Sequence, residues 1–193
     1  MTRIALIRHG STAWNKAGRM QGSTDIPLDE EGTIQAHKLG LRLANEHWDL
    51  VYTSHLSRAR KTGEIIAAQL GITDIFQDER LREVSGGQTE GTSEAERLEK
   101  WGADWRLLEL GFETELAVCD RGLAFMDDLL AQHAGKHILI VSHGAFIRHL
   151  LRKLAPDLAV GDHLKNTSVT RFTIKDNLWD CELYNCTAHL ETE

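Results

Sequence analysis

A chain of 193 residues that is 41% hydrophobic and 26% charged can bury a sizeable core, and it is read as one globular domain over 1–193. Its net charge of −7 disfavours a nucleic-acid binder, so any phosphate chemistry has to rest on a local cluster of Arg, Lys or His. No run of 18 apolar residues offers a membrane span, the run at 4–7 after Met-Thr-Arg is too short for a signal peptide, and three cysteines without CxxC spacing read as free thiols, so a cytoplasmic protein without membrane contact, disulfide framework or zinc site is expected.

The first element is a strand over 3–8, where Ile4, Ala5, Leu6 and Ile7 are contiguous. A helix over 29–46 is expected to bury Ile34, Leu41 and Ala44 on one stripe. A second strand covers Leu50–Thr53, followed by a helix over 56–70 that carries Ala59, Thr62, Ile66 and Leu70. The spacing predicts a helix over 93–110, opened by the capping pair Ser93 and Glu96. In it, Trp101 and Trp105 share a stripe with Leu98 and Leu108, which either packs on the sheet or forms a lid. A helix over 114–133 follows, with Thr114 as N-cap and Leu116, Leu123, Met126 and Leu130 as its apolar face. His137–Ser142 is the clearest strand, and a helix over 146–154 ends before Pro156. The alternating runs at 169–174 and 178–184, with Lys175, Asp176 and Asn177 between them, read as a terminal hairpin or edge pair. That edge could pair with a second copy in a homo-oligomer. Continuous apolar runs imply strands covered on both faces, so the fold class is an α/β sandwich with a mainly parallel central sheet.

In such folds ligands bind at the carboxyl ends of the strands. The first strand ends in Arg8-His9-Gly10, the second leads to Arg58 one helical turn later, and the third ends in Ser142-His143-Gly144. Arginine and histidine therefore gather at one edge. Gly10 and Gly144 permit tight exits and close backbone approach, and a helix starting beyond a strand aims free N–H groups at the same spot. Arg8 and Arg58 can hold phosphate oxygens through forked, charge-assisted bonds. A neutral imidazole can attack phosphorus in line, a second can stabilise the equatorial oxygens, and a nearby carboxylic acid can protonate the leaving alkoxide. That set of groups needs neither metal nor organic cofactor.

The segment Leu6-Ile7-Arg8-His9-Gly10-Ser11-Thr12-Ala13-Trp14-Asn15 resembles the signature of the histidine phosphatase superfamily, the phosphoglycerate mutase-like proteins. The resemblance continues through Gly18-Arg19-Met20-Gln21-Gly22, Val51-Tyr52-Thr53-Ser54, Leu56-Ser57-Arg58-Ala59, Leu81-Arg82-Glu83, Val141-Ser142-His143-Gly144 and Asn166-Thr167-Ser168-Val169. It covers about residues 3 to 174, in order. It implies a three-layer α/β/α sandwich and a metal-independent phosphatase that forms a phosphohistidine. His9 would be the nucleophile, Glu83 the proton donor and His143 a catalytic partner. Arg8, Asn15, Gln21, Arg58 and Gly144 would bind the substrate phosphate. Where small phosphatases of the family carry Phe and Trp after the acid, this chain has Gly86 and Thr89, a change that either widens the pocket or loosens the loop. Glu90 lies close enough in sequence to compete with Glu83 for the acid role.

Hydrolysis of a small phosphorylated metabolite is the leading expectation. A phosphoglycerate mutase would return the phosphate to another oxygen of the same substrate, but usually carries an inserted segment for which this length leaves little room. A protein phosphohistidine or phosphotyrosine phosphatase would have less need of Glu83. A non-catalytic phosphate-binding module would have no need of His9, His143 and Glu83 together.

Overall fold

The computed structural model describes residues 1–176 and 178–191. Its elements in chain order are β1 (Thr2–Arg8), α1 (Ala13–Lys16), α2 (Glu30–Leu43), β2 (Leu50–Thr53), α3 (Ser57–Leu70), β3 (Ile75–Gln77), α4 (Glu94–Trp101), α5 (Glu115–Gln132), β4 (His137–Ser142), α6 (Gly144–Leu154), β5 (Val169–Lys175) and β6 (Leu178–Cys186). They build one six-stranded sheet in the order β3-β2-β4-β1-β5-β6. The first four of these are mutually parallel, while β5 and β6 run antiparallel at one edge.

The unbroken apolar runs of β1 and β4 make sense once both faces are covered. Along β1, Ile4 and Leu6 point to one side and Ala5 and Ile7 to the other; along β4, Ile138 and Ile140 oppose Leu139 and Val141 in the same way. The first set packs with Phe125, Met126, Phe146 and Leu150 of α5 and α6. The second packs with Leu39, Leu43, Ala59 and Ile66 of α2 and α3. Two helical layers thus sandwich the sheet, as expected.

Several local expectations are corrected. On α2 the buried face is Gly32, Gln35, Ala36, Leu39, Gly40 and Leu43, while Ile34 and Leu41 are 50% and 65% exposed. Gly32 lies on the packed face because backbone comes close there, since a Cβ on it would sit 2.1 Å from the Ser11 carbonyl oxygen, whereas Gly40 makes room for the Gln69 side chain. On α5 Leu116 is exposed and the buried stripe runs through Val118, Gly122, Phe125 and Leu129. The helix expected over 93–110 stops at Trp101, where Gly102 takes a left-handed φ of 79°. A short 3₁₀ turn, Trp105–Leu107, follows. Leu98 and Leu108 stay exposed, and Trp105 belongs to neither sheet-side core. The strand β3 was not anticipated. α6 begins at Gly144, with His143 as its N-cap. The terminal strands form the expected hairpin, with β5 reaching Lys175 and Asp176 at a φ of 51°; Asn177 lies outside the described residues.

Candidate active site

The carboxyl ends of β1 and β4 are adjacent, because Arg8 is in register with Ser142. The next residues along the chain are His9 and His143. Their rings lie 5.2 Å apart between centroids, tilted by 58°. Both are buried, as is Arg58 from the first turn of α3. Together with Arg8, Asn15, Gln21, Glu83 and Gly144, His9 and Arg58 line a cleft of about 500 Å³. His143 stands behind this wall, against His9.

Each side chain is held by local structure. His9 Nδ1 lies 2.7 Å from the Gly10 carbonyl oxygen, an acceptor, so this nitrogen carries the proton and Nε2 keeps its lone pair. Burial, reinforced by the charges of Arg8 and Arg58, holds the His9 imidazole well below its ordinary pKa. Burial does the same to His143, helped by Arg58 and His9. Both rings are therefore neutral at pH 7, the state a nitrogen nucleophile needs. The loop after His9 is pinned to α2: the Asp29 carboxylate accepts from Ser11 Oγ and from the Gly32 N–H at the helix start, and Gln35 accepts from the Ser11 N–H.

The guanidiniums are anchored by carbonyls. Arg58 donates to the carbonyls of Gly22 and Thr24, each at 2.8 Å, and Arg8 donates to that of Leu164. Among the described residues, Arg8 Nε, Arg58 Nε and both ring nitrogens of His143 are buried and have no hydrogen-bond partner, so hydrogen-bonding capacity remains for an anion. Asn15 Oδ1 accepts from the Thr12 N–H, the Thr12 hydroxyl and Asn166 Nδ2. The oxygen of this amide is thereby committed, leaving its NH₂ as a donor on the cleft wall. Gln21 is buried at the rim with an unbonded Oε1. Gly144 packs against Arg8, since a Cβ there would stand 3.2 Å from Arg8 Nε.

Glu83 and Glu90 have different surroundings. Glu83 lines the cleft, and its carboxylate accepts from the N–H groups of Val84, Ala145 and Phe146, the last two in the first turn of α6. Glu90 is taken up by the loop 22–24: its oxygens accept from Ser23 N, Thr24 N and Gly86 N and from both hydroxyls. Burial acts to raise the Glu90 carboxyl, but the donors of Thr24, Ser23 and Gly86 outweigh it and hold it below the usual carboxylate range. Glu90 is an ionised clasp, whereas Glu83 is the carboxyl that faces the cleft. Gly86 leaves no loose loop, because a Cβ there would already meet Met20, Thr89 and Glu90 at 3.1–3.2 Å.

The outer cleft carries residues with no role assigned from the sequence. Arg97, Phe112, Arg148, Asp162 and His163 are on its walls. Arg97 is buried, donates to the Thr92 carbonyl and lies 4.9 Å over the Trp105 ring. The Trp105 ring in turn lies 6.2 Å from that of Phe112, tilted by 34°. Phe112 thus brings the segment after α4 to the cleft wall, and with Trp105 in neither sheet-side core and Leu98 and Leu108 exposed, the expected stripe does not pack on the sheet. Asn166, at the entry to β5, donates both to Asn15 and to the His9 carbonyl. Its position just before a strand gave no signal of that contact.

The sequence profile of the histidine phosphatase superfamily (branch 1) matches residues 4–187. An uncharacterized phosphatase, PhoE, of Bacillus subtilis (strain 168) is 32% identical, over 98% of this chain and 97% of its own length. Among solved structures, Bacillus stearothermophilus YhfR superimposes with a TM-score of 0.87 at 31% identity, covering 98% of this chain and all of the other. A phosphoserine phosphatase from Entamoeba histolytica, solved as a histidine-to-alanine variant with phosphoserine, has a TM-score of 0.81 at 28% identity, over 98% of this chain and 100% of that one. Phosphoglycerate mutase-like names also occur among the relatives.

Proposed function

Because the chain belongs to the histidine phosphatase superfamily and is a phosphoric monoester hydrolase, we propose that it works through a covalent phosphohistidine on His9. The observation that carries this reading is the His9 hydrogen bond to the Gly10 carbonyl, which leaves Nε2 unprotonated beside two guanidiniums and a second imidazole. His9 Nε2 attacks phosphorus, the ester P–O bond breaks, and Glu83 gives its proton to the departing oxygen. Arg8, Arg58, His143 and the Asn15 amide carry the charge on the equatorial oxygens. Water then attacks the phosphohistidine, Glu83 takes a proton from it, and the P–N bond breaks to release phosphate and neutral His9. Two permanent guanidinium charges supply the neutralisation a metal would otherwise provide, so activity is expected to persist in excess EDTA.

The substrate is proposed to be a small phosphorylated metabolite, in keeping with a cleft of about 500 Å³ whose outer wall mixes Trp14, Met20 and Phe112 with Arg148 and His163. Phosphoserine and 3-phosphoglycerate are the first probes, since relatives are phosphatases co-crystallised with them. A second reading, phosphoglycerate mutase, is favoured by the names of some relatives. Incubation with 3-phosphoglycerate separates the two: a hydrolase liberates inorganic phosphate, whereas accumulation of 2-phosphoglycerate without phosphate release would establish the mutase.

A further inference from the structure

The residues that hold Glu83 in place lie outside the cleft. Arg121, in the middle of α5, and Glu113, just before that helix, are both about nine-tenths buried. Arg121 Nε and Nη2 fork onto the Glu113 carboxylate at 2.8 and 3.0 Å. Its Nη1 donates to the carbonyls of Arg80 and Arg82, and Nη2 reaches that of Glu83 at 3.4 Å. Glu113 completes the bracket from the other side, accepting from the Ser85 N–H and from Arg82, while its own N–H donates to the Ser85 carbonyl. The backbone around Glu83 is thus tied at residues 80, 82, 83 and 85; the stretch 82–86 has no regular structure of its own and lies between the 3₁₀ turns Glu79–Leu81 and Gly87–Thr89. The Arg121 guanidinium also lies 4.7 Å over the ring of Phe146, whose N–H donates to the Glu83 carboxylate. One side chain therefore ties the backbone bearing the acid to the helix that receives its carboxylate.

A buried ion pair is seldom a net gain over apolar packing, since desolvating both charges costs about as much as their attraction returns. Geometry is what such a fork supplies. We propose that Arg121 and Glu113 are a positioning pair for the proton donor: they fix the Glu83 carboxyl at the cleft, and losing them slows the proton-dependent departure of the leaving group while sparing attack by His9. The proposal rests on Glu83 being the donor.

Aryl phosphates test it on the intact chain, because p-nitrophenolate leaves readily without a proton and phenolate does not. For Arg121→Met, kcat/KM, which reads phosphoryl transfer to His9 and not the later hydrolysis in which Glu83 also acts, is expected to fall by about a hundredfold on phenyl phosphate, the scale of a 1 Å misplacement, with p-nitrophenyl phosphate changed less than about threefold. Arg121→Lys keeps the charge but not the fork, and is expected to fall short of full rescue. In a Glu83→Gln background, adding Arg121→Met is expected to cause no further loss on phenyl phosphate. Equal slowing of both esters by Arg121→Met, or losses that multiply with Glu83→Gln, would overturn the proposal. Should Arg121→Met not fold, Glu113→Gln retains the shape of the pair and is read by the same two esters and the same double variant. If Glu83→Gln itself does not discriminate between the esters, the donor assignment fails and the positioning role with it; if it discriminates and neither pair variant does, only the positioning role fails.

Discussion

At His9 a single hydrogen bond decides which nitrogen can act. The Gly10 carbonyl can only accept, so the proton sits on Nδ1, and burial beside Arg8 and Arg58 keeps a second proton away from Nε2. Replacing His9 by Ala is expected to lower kcat by at least about a thousandfold, as loss of a nucleophile does, while circular dichroism and Tm report an intact fold. Activity within tenfold of the parent would remove His9 from the nucleophile role. Sequence reading brought out Arg8, His9, Arg58 and His143 because strand ends collect ligand groups and the surrounding motifs are ordered. The motif selects Glu83 as the acid, with Glu90 a competitor close in sequence. Donors supplied by Ser23, Thr24 and Gly86 commit Glu90 to a clasp across nearly seventy positions of chain, a contact that spacing does not reveal and that supports the motif's choice. Arg121 escaped notice for a similar reason: its partners are mostly backbone carbonyls, which leave no compositional trace.

Elements built from contiguous apolar residues were legible, and those set by glycine were not. β1, β2 and β4 announced themselves because both sheet faces demand apolar side chains. β3 has three residues with Ile75 and Phe76 partly exposed, so it makes no run to detect. On α2, reading only large apolar residues selected Ile34 and Leu41, whereas the packed face is built around Gly32 and Gly40. The contact at Gly32 is backbone against backbone and cannot yield by rotating a side chain. Gly32→Ala is accordingly expected to destabilise the fold by roughly 1–3 kcal/mol in urea unfolding and to lower kcat through the His9 loop. A neutral result would mean that α2 does not pin this loop. Gly102 likewise cut short a helix whose apolar spacing continues to Leu108. Trp105, 3% exposed between Arg97 and Phe112, is the anchor of the segment beyond it. Trp105→Ala is expected to cost about 3–5 kcal/mol and to raise KM more than it lowers kcat; a KM equal to that of the parent would argue against a cleft-shaping role.

The whole molecule places two buried neutral histidines and two guanidiniums, that of Arg58 buried and that of Arg8 half-buried, at one end of a sheet, and its stability carries the signature. His9 and His143 titrate well below the ordinary imidazole value when folded, and near about 6.5 when unfolded. Between those values the unfolded chain binds more protons than the folded one. Their contribution is therefore present above about pH 6.5 and is lost as pH falls below it, the slope growing toward about 1.4 kcal/mol per histidine per pH unit below about pH 5.5. Denaturation in a buffer without phosphate or sulfate is expected to show a loss of about 1 kcal/mol per histidine between pH 6.5 and 5.5. The double variant His9→Asn/His143→Asn should retain only the smaller part due to groups such as His189, held at about 4 chiefly by burial; an unchanged slope would mean the two rings are not buried neutral. Among the described residues no helix is long and apolar enough to cross a membrane. The account as a whole turns on a covalent bond between phosphorus and one ring nitrogen. Rapid acid-free quenching of the enzyme with a ³²P-labelled ester, followed by peptide mapping, measures it directly. The expected result is an acid-labile, base-stable label on the peptide containing His9, at Nε2; a label on another residue, or steady turnover with no labelled protein at any quench time, would contradict it.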